Sequence, residues 1–156
     1  TIFEYQNNTD RNTAVDNSIR NRDINSEGLL NDLSYRPVPA IESSFQVNFF
    51  RAIDNFPQLP VQADINQQVL SFIYSFTFTG RIRAEFERNE VTLSNSNATF
   101  PYELTNGKTE GINFLWRLFF DYSISQNLQA TLNYDGRNEG GRGVIHSGRG
   151  EIKAFF

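Results

Sequence analysis

The chain has 156 residues and a net charge of −4, with no cysteine and one histidine. The charge excludes the basic face that nucleic acid requires, and the lack of Cys excludes disulfides and thiolate chemistry. Aromatic residues make up 14%, fifteen of them Phe, yet mean hydropathy is −0.48. Abundant aromatics in a polar chain fit strands that turn apolar side chains to one face only. No run approaches the roughly 18 apolar residues of a transmembrane helix.

Thr1–Gln6 alternates weakly, with Phe3 and Tyr5 on one parity. Residues 7–27 are rich in Asn, Asp, Arg and Ser and read as a long solvated loop. Asp10, Asp16 and Asp23 in it have no EF-hand spacing, so a calcium site is not expected there. Gly28–Arg36 alternates again, and Pro37-Val38-Pro39 ends it, since proline cannot donate to a ladder. Ile41, Ser43, Phe45, Val47 and Phe49 continue the pattern, and residues 54–66 read as a second loop.

The third pair of strands is clear. Leu70, Phe72, Tyr74, Phe76 and Phe78 share one parity, and the chain turns near Thr79-Gly80. Ile82, Ala84 and Phe86 then oppose Arg81, Arg83, Glu85 and Glu87. Residues 94–110 form a third loop, in which Asn97-Ala98-Thr99 fits a glycosylation sequon.

Gly111–Arg137 carries the strongest signal. Ile112, Phe114, Trp116, Leu118, Phe120, Tyr122 and Ile124 share one parity, with Arg117 and Asp121 on the other. After Ser125-Gln126-Asn127 the alternation resumes in Leu128, Ala130, Leu132 and Tyr134, so the stretch reads as an antiparallel hairpin. Residues 138–143 form a fourth, glycine-rich loop. Its Gly140-Gly141-Arg142-Gly143 joins two strands and lacks the helix of a phosphate loop. The last strand, Val144–Phe156, puts Ile152, Ala154 and Phe156 on one parity and Arg149, Glu151 and Lys153 on the other.

Eight strands follow, with long connections after the odd ones and short turns after the even ones. In an up-and-down meander all long loops then lie at one end. Such asymmetry, with about ten residues per inclined strand, is the pattern of outer-membrane barrels. The expected fold is an all-β, antiparallel, up-and-down transmembrane β-barrel of about eight strands, or the last eight strands of a larger barrel. On this reading Leu70–Phe78 and Ile112–Ile124 turn their apolar parity to lipid. Arg81, Arg83, Glu85, Glu87, Arg117, Asp121, Arg149, Glu151 and Lys153 face the lumen, their signs balanced so that they can pair. Tyr5, Tyr35, Tyr122 and Tyr134 are candidates for interfacial girdles.

The ending GEIKAFF resembles the C-terminal insertion signal of bacterial outer-membrane β-barrel proteins. Ile152, Ala154 and Phe156 match it, whereas Gly148 and Gly150 depart by being small. The hairpin LFFDYSISQNLQATLNYDGR is similar to barrel hairpins of the same class, and the Asn-rich, aromatic-rich style resembles Bacteroidota-type envelope proteins. The resemblance implies the outer membrane of a Gram-negative-type bacterium. Its implied partners are outer-membrane lipid, the barrel-assembly machinery and other envelope proteins, with no nucleic acid. It places loops 7–27, 54–66, 94–110 and 138–143 outside the cell.

The expected role is non-enzymatic: structural, surface-binding or envelope-assembly. A part of a pore or transport wall is the first alternative, and a soluble up-and-down barrel carrying a lipophile is the second. No cofactor or metal is expected, and no nucleophile–base set is visible. His146 beside Asp135 or Ser147 is the one catalytic pairing worth testing, although His146 has the lipid-facing parity. Deleting Phe156 is expected to lower assembly into outer membranes, measured by heat-modifiable gel mobility; undiminished assembly would contradict the signal.

Overall fold

The computed structural model describes residues 1–12, 22–56, 60–76, 79–94 and 102–155. Phe78, Phe156, Asp16 and the Asn97 sequon lie outside them. Eight strands run in order: β1 (Ile2–Asn12), β2 (Arg22–Val38), β3 (Ile41–Asp54), β4 (Val61–Phe76), β5 (Gly80–Leu93), β6 (Gly111–Ser125), β7 (Leu128–Glu139) and β8 (Ile145–Ala154). A short 3₁₀ turn, η1 (Tyr102–Thr105), precedes β6. All strands belong to one antiparallel sheet in sequence order, and β1 and β8 are its free edges.

Register is continuous from pair to pair. The row from Leu33 crosses Phe45, Leu70, Phe86, Trp116 and Gly136 to His146. Parity on one strand therefore decides the face on all of them. One face, the aromatic face, carries Leu70–Phe76 and Ile112–Tyr122. The other, the core face, carries Glu87, Arg117 and the buried cluster Ile24, Ala52, Val61, Ala63, Ile65, Val91, Leu93 and Leu104.

The strands overrun their expected bounds at the loop end. β1 continues to Asn12 and β2 starts at Arg22, pairing Asn7 with Glu27 through to Asn12 with Arg22. β4 starts at Val61 and β7 reaches Glu139, inside the stretches expected to be loops. The segments of β1, β2 and β7 lack apolar alternation, and Val61, Ala63 and Ile65 at the start of β4 carry a short alternation that sits beside the prolines of the loop. They are ladders all the same, because the backbone of a neighbouring strand satisfies them regardless of side-chain polarity. Residues 102–110, within the stretch expected to be a long loop, fold back onto the core face.

Two glycines permit cross-strand aromatic packing. Gly136 pairs with Trp116, and a Cβ there would meet the indole at 2.2 Å. Gly28 pairs with Phe50, and its Cβ would meet that ring at 2.5 Å. Gly136→Val is expected to cost about 1–3 kcal/mol by overpacking, read as a lowered urea midpoint of the folded protein. An unchanged midpoint would show that the indole moves aside freely.

Candidate functional site

The two faces exchange character partway along the strands. Towards the short turns, the aromatic face carries no charge: Phe3, Tyr5, Leu29, Phe45, Leu70, Phe72, Phe86, Trp116, Leu118 and Tyr134 lie in that band. Many of these are half-exposed, Phe3 at 77% and Leu70 at 53%. Towards the long loops the same face turns polar, with Arg11, Asp23, Glu27, Arg51, Asp64, Arg88 and Glu90; Ile53, Ile112 and Phe114 are large apolar exceptions among the described residues. Arg51 meets Asp64 at 2.8 Å and Arg88 meets Glu90 at 2.9 Å.

On the core face the loop end holds the buried apolar cluster; the turn end holds Glu42, Ser44, Gln46, Ser71, Arg81, Arg83, Glu85, Arg117 and Asp121, interleaved with Val69, Ile73, Leu115 and Phe119. The boundary is inclined to the hydrogen-bonded rows. The row through Gln6 lies at the boundary on β1 and passes Gly28, Phe50 and Ile65. It reaches Val91, well loopward of the boundary on β5 between Phe86 and Arg88.

Glu87, 5% exposed, is the centre of the core face. Its Oε1 accepts from Gln67 Nε2 at 2.8 Å, Asn89 Nδ2 at 2.7 Å and Lys108 Nζ at 2.8 Å. Its Oε2 accepts from Arg117 at 3.3 Å, and the same Arg117 nitrogen meets Glu85 at 2.9 Å. A carboxylate so enclosed is tolerable only because it is paired with two cations and accepts from two amides. Asp121 accepts from Thr131 at 2.9 Å, Lys153 and Glu151 lie 3.7 Å apart, and the Arg83 guanidinium sits 5.9 Å from the Phe119 ring centre. Arg81 stands opposite Asp121 across β5 and β6, and Arg149 stands opposite Asn133 on the same face. The structure thus brings Glu85, Glu87 and Arg117 into one network, and spreads the other charged residues over the turn end.

Residues 102–110 cover the apolar cluster. Leu104 and Thr105 are each 1% exposed. Glu103 reaches Arg22 at 2.9 Å, Lys108 reaches Glu87, and the Thr109 hydroxyl donates to Asn113 Oδ1 at 2.7 Å. Asn106 and Gly107 turn the chain at positive φ. Sequence reading missed Leu104, Lys108, Gln67 and Asn89. The signal available was the Asn-Gly pair after a lone Leu in a polar stretch, the mark of a tight turn with one buried anchor.

His146 lies on the aromatic face. Its Nδ1 is 2.7 Å from the Tyr134 hydroxyl, its ring stacks on that tyrosine and it meets Trp116 edge-on. Asp135 and Ser147 lie on the core face, so the catalytic pairing with His146 is not formed. Ile152 and Ala154 point to the aromatic face of β8, Ile152 at 70% exposure. Among the described residues no group of three or more His, Asp or Glu side chains is placed to hold a metal.

Comparison with protein-family models, with curated proteins and with solved structures finds no match to this chain.

Leu104→Ala is expected to cost about 2–5 kcal/mol, and Glu87→Gln about 1–3 kcal/mol through its lost charged hydrogen bonds. Both should expose Lys108 to trypsin. Trypsin resistance and denaturation midpoints equal to those of the unaltered protein would show that these contacts do not hold the segment.

Proposed function

We propose that the chain forms the wall of an integral outer-membrane β-barrel, with a structural, surface-binding or envelope-assembly role. The observation that carries this reading is the exchange of polarity on both faces at one inclined level. A sheet in a single solvent keeps one face apolar along its whole length. A wall standing in lipid at its turn end and in water at its loop end must do what these strands do. In lipid the outward side chains are apolar and the inner face is polar. Above the lipid the outward side chains turn polar and the inner face is free to pack a core.

Strand length supports it. Spanning the hydrocarbon takes about 9–11 inclined residues, and β2–β6 have 14 to 17, so the wall projects beyond the bilayer on the loop side. Tyr35, Tyr74 and Tyr122 at the turn end, and Tyr5, Trp116 and Tyr134 below the polar rim, stand where interfacial girdles stand. In lipid the open backbone rows of β1 and β8 have to be paired, by each other or by further strands of a larger barrel.

A pore or transport wall is the second reading, favoured by the ionic turn-end lining around Arg117. A soluble lipophile carrier is disfavoured by the aromatic side chains, which are exposed on the face opposite the buried cluster.

The test compares two insertions of charge on the aromatic face. Leu118→Arg should cost about 2–4 kcal/mol in a bilayer, and Thr92→Arg no more than about 1, measured as urea midpoints in lipid vesicles. Equal effects, or a protein folded and monomeric in buffer without detergent, would overturn the proposal.

A further inference from the structure

Between η1 and the loop ends of β1–β3 the core face encloses a cavity of about 350 Å³, at the small end of ligand pockets. Its floor is apolar, made by Ile24, Phe50, Ala52 and Leu104. Its walls are amides and a hydroxyl: Gln6, Asn8 and Ser26 from the strands and Asn106 from the turn. Three acidic residues line it, Asp10, Glu27 and Glu103, and one guanidinium answers the first and the last. Arg22 meets Asp10 at 3.0 Å and Glu103 at 2.9 Å.

Tyr102 adds a platform. It is 74% exposed, and its ring lies against Gly107, where a Cβ would approach the ring to 2.2 Å. Gly107 has φ +75°, so this position excludes other residues twice, by backbone conformation and by space. The ring is thus held from one side and open on the other.

We propose that this cavity is a binding site for a neutral, polyhydroxylated ligand of saccharide type. Such a molecule has apolar C–H faces for an aromatic ring and an apolar floor, and hydroxyls that both donate and accept. Side-chain amides match those hydroxyls because each carries a donor and an acceptor. An anion would meet three acidic residues, and a cation would have to compete with Arg22 for Asp10 and Glu103. The Arg22 bridge occupies those two, and Glu27 adds an acceptor for ligand hydroxyls. The site belongs to the loop-end part of the wall and does not depend on the membrane reading, since a protein folded in plain buffer can be titrated in the same way.

The experiment is calorimetric titration of the whole chain in a detergent without a sugar headgroup, its folded state checked by gel mobility. The probes are maltotriose, cellotriose and tri-N-acetylchitotriose, with inorganic phosphate as the anionic control. At least one trisaccharide should bind with a Kd of about 1 mM or tighter. Tyr102→Ala should weaken it at least about tenfold, Tyr102→Phe should retain it, and phosphate should not bind. No trisaccharide binding at about 10 mM, binding unaffected by Tyr102→Ala, or tighter binding of phosphate would each overturn the proposal.

Discussion

Backbone pairing between neighbouring strands is the constraint on which the rest of this molecule depends. The ladder runs unbroken from β1 to β8, with register shifts only next to the turns at Tyr35/Val38 and Ser123/Ser125. Because the side-chain period is two, a one-residue slip anywhere would exchange the faces of everything beyond it. Phe72 and Leu118 would then leave the aromatic band, and Glu87 would leave Gln67 and Arg117 on the neighbouring strands. The alternation of single strands becomes a property of the whole sheet only through this register.

The ladder also explains how one strand serves two environments. Backbone hydrogen bonds are indifferent to which side chains flank them, so the face pattern can invert partway along β2–β5 with no break in pairing. Below the inversion, the core face is lined by ions and amides, with Glu85, Glu87 and Arg117 joined in one network. Above it, Ile24, Ala63, Ile65 and Val91 gather, and Leu104 from outside the sheet closes the cluster. Segment 102–110 is drawn in by that apolar contact. It is fastened by Lys108 to Glu87 and by Glu103 to Arg22, so the polar and apolar layers of the core face meet at one short turn.

Glycines serve this arrangement where rings must cross a neighbouring strand. Phe50 lies over Gly28 on the core face, Trp116 over Gly136 on the aromatic face, and Tyr102 against Gly107 in the turn. In each case the ring takes the space of a missing side chain. The first two pairs lock register locally, and the third fixes the platform beside the cavity.

The sequence by itself determined the elements whose signal is local. Alternation placed β4 to β8 and the parity of Leu70–Phe76, Arg81–Glu87, Ile112–Tyr122 and Arg149–Ala154, because a strand's two faces are written two residues apart. It did not place Asn7–Asn12 or Arg22–Glu27 in strands, since polar residues stand on both parities there, and it passed over Val61–Asn66, whose short alternation of Val61, Ala63 and Ile65 follows directly on a proline-rich loop. Nor could it find Leu104 or Lys108, whose partners Ala63 and Glu87 are distant in sequence. The separation of His146 from Asp135 and Ser147, the gathering of Gln67, Asn89 and Arg117 on Glu87, and the cavity shared by Gln6, Asn8 and Tyr102 were decided by tertiary structure. They require knowing which residues register across strands and where a returning loop settles, and neither is carried by any one stretch of chain.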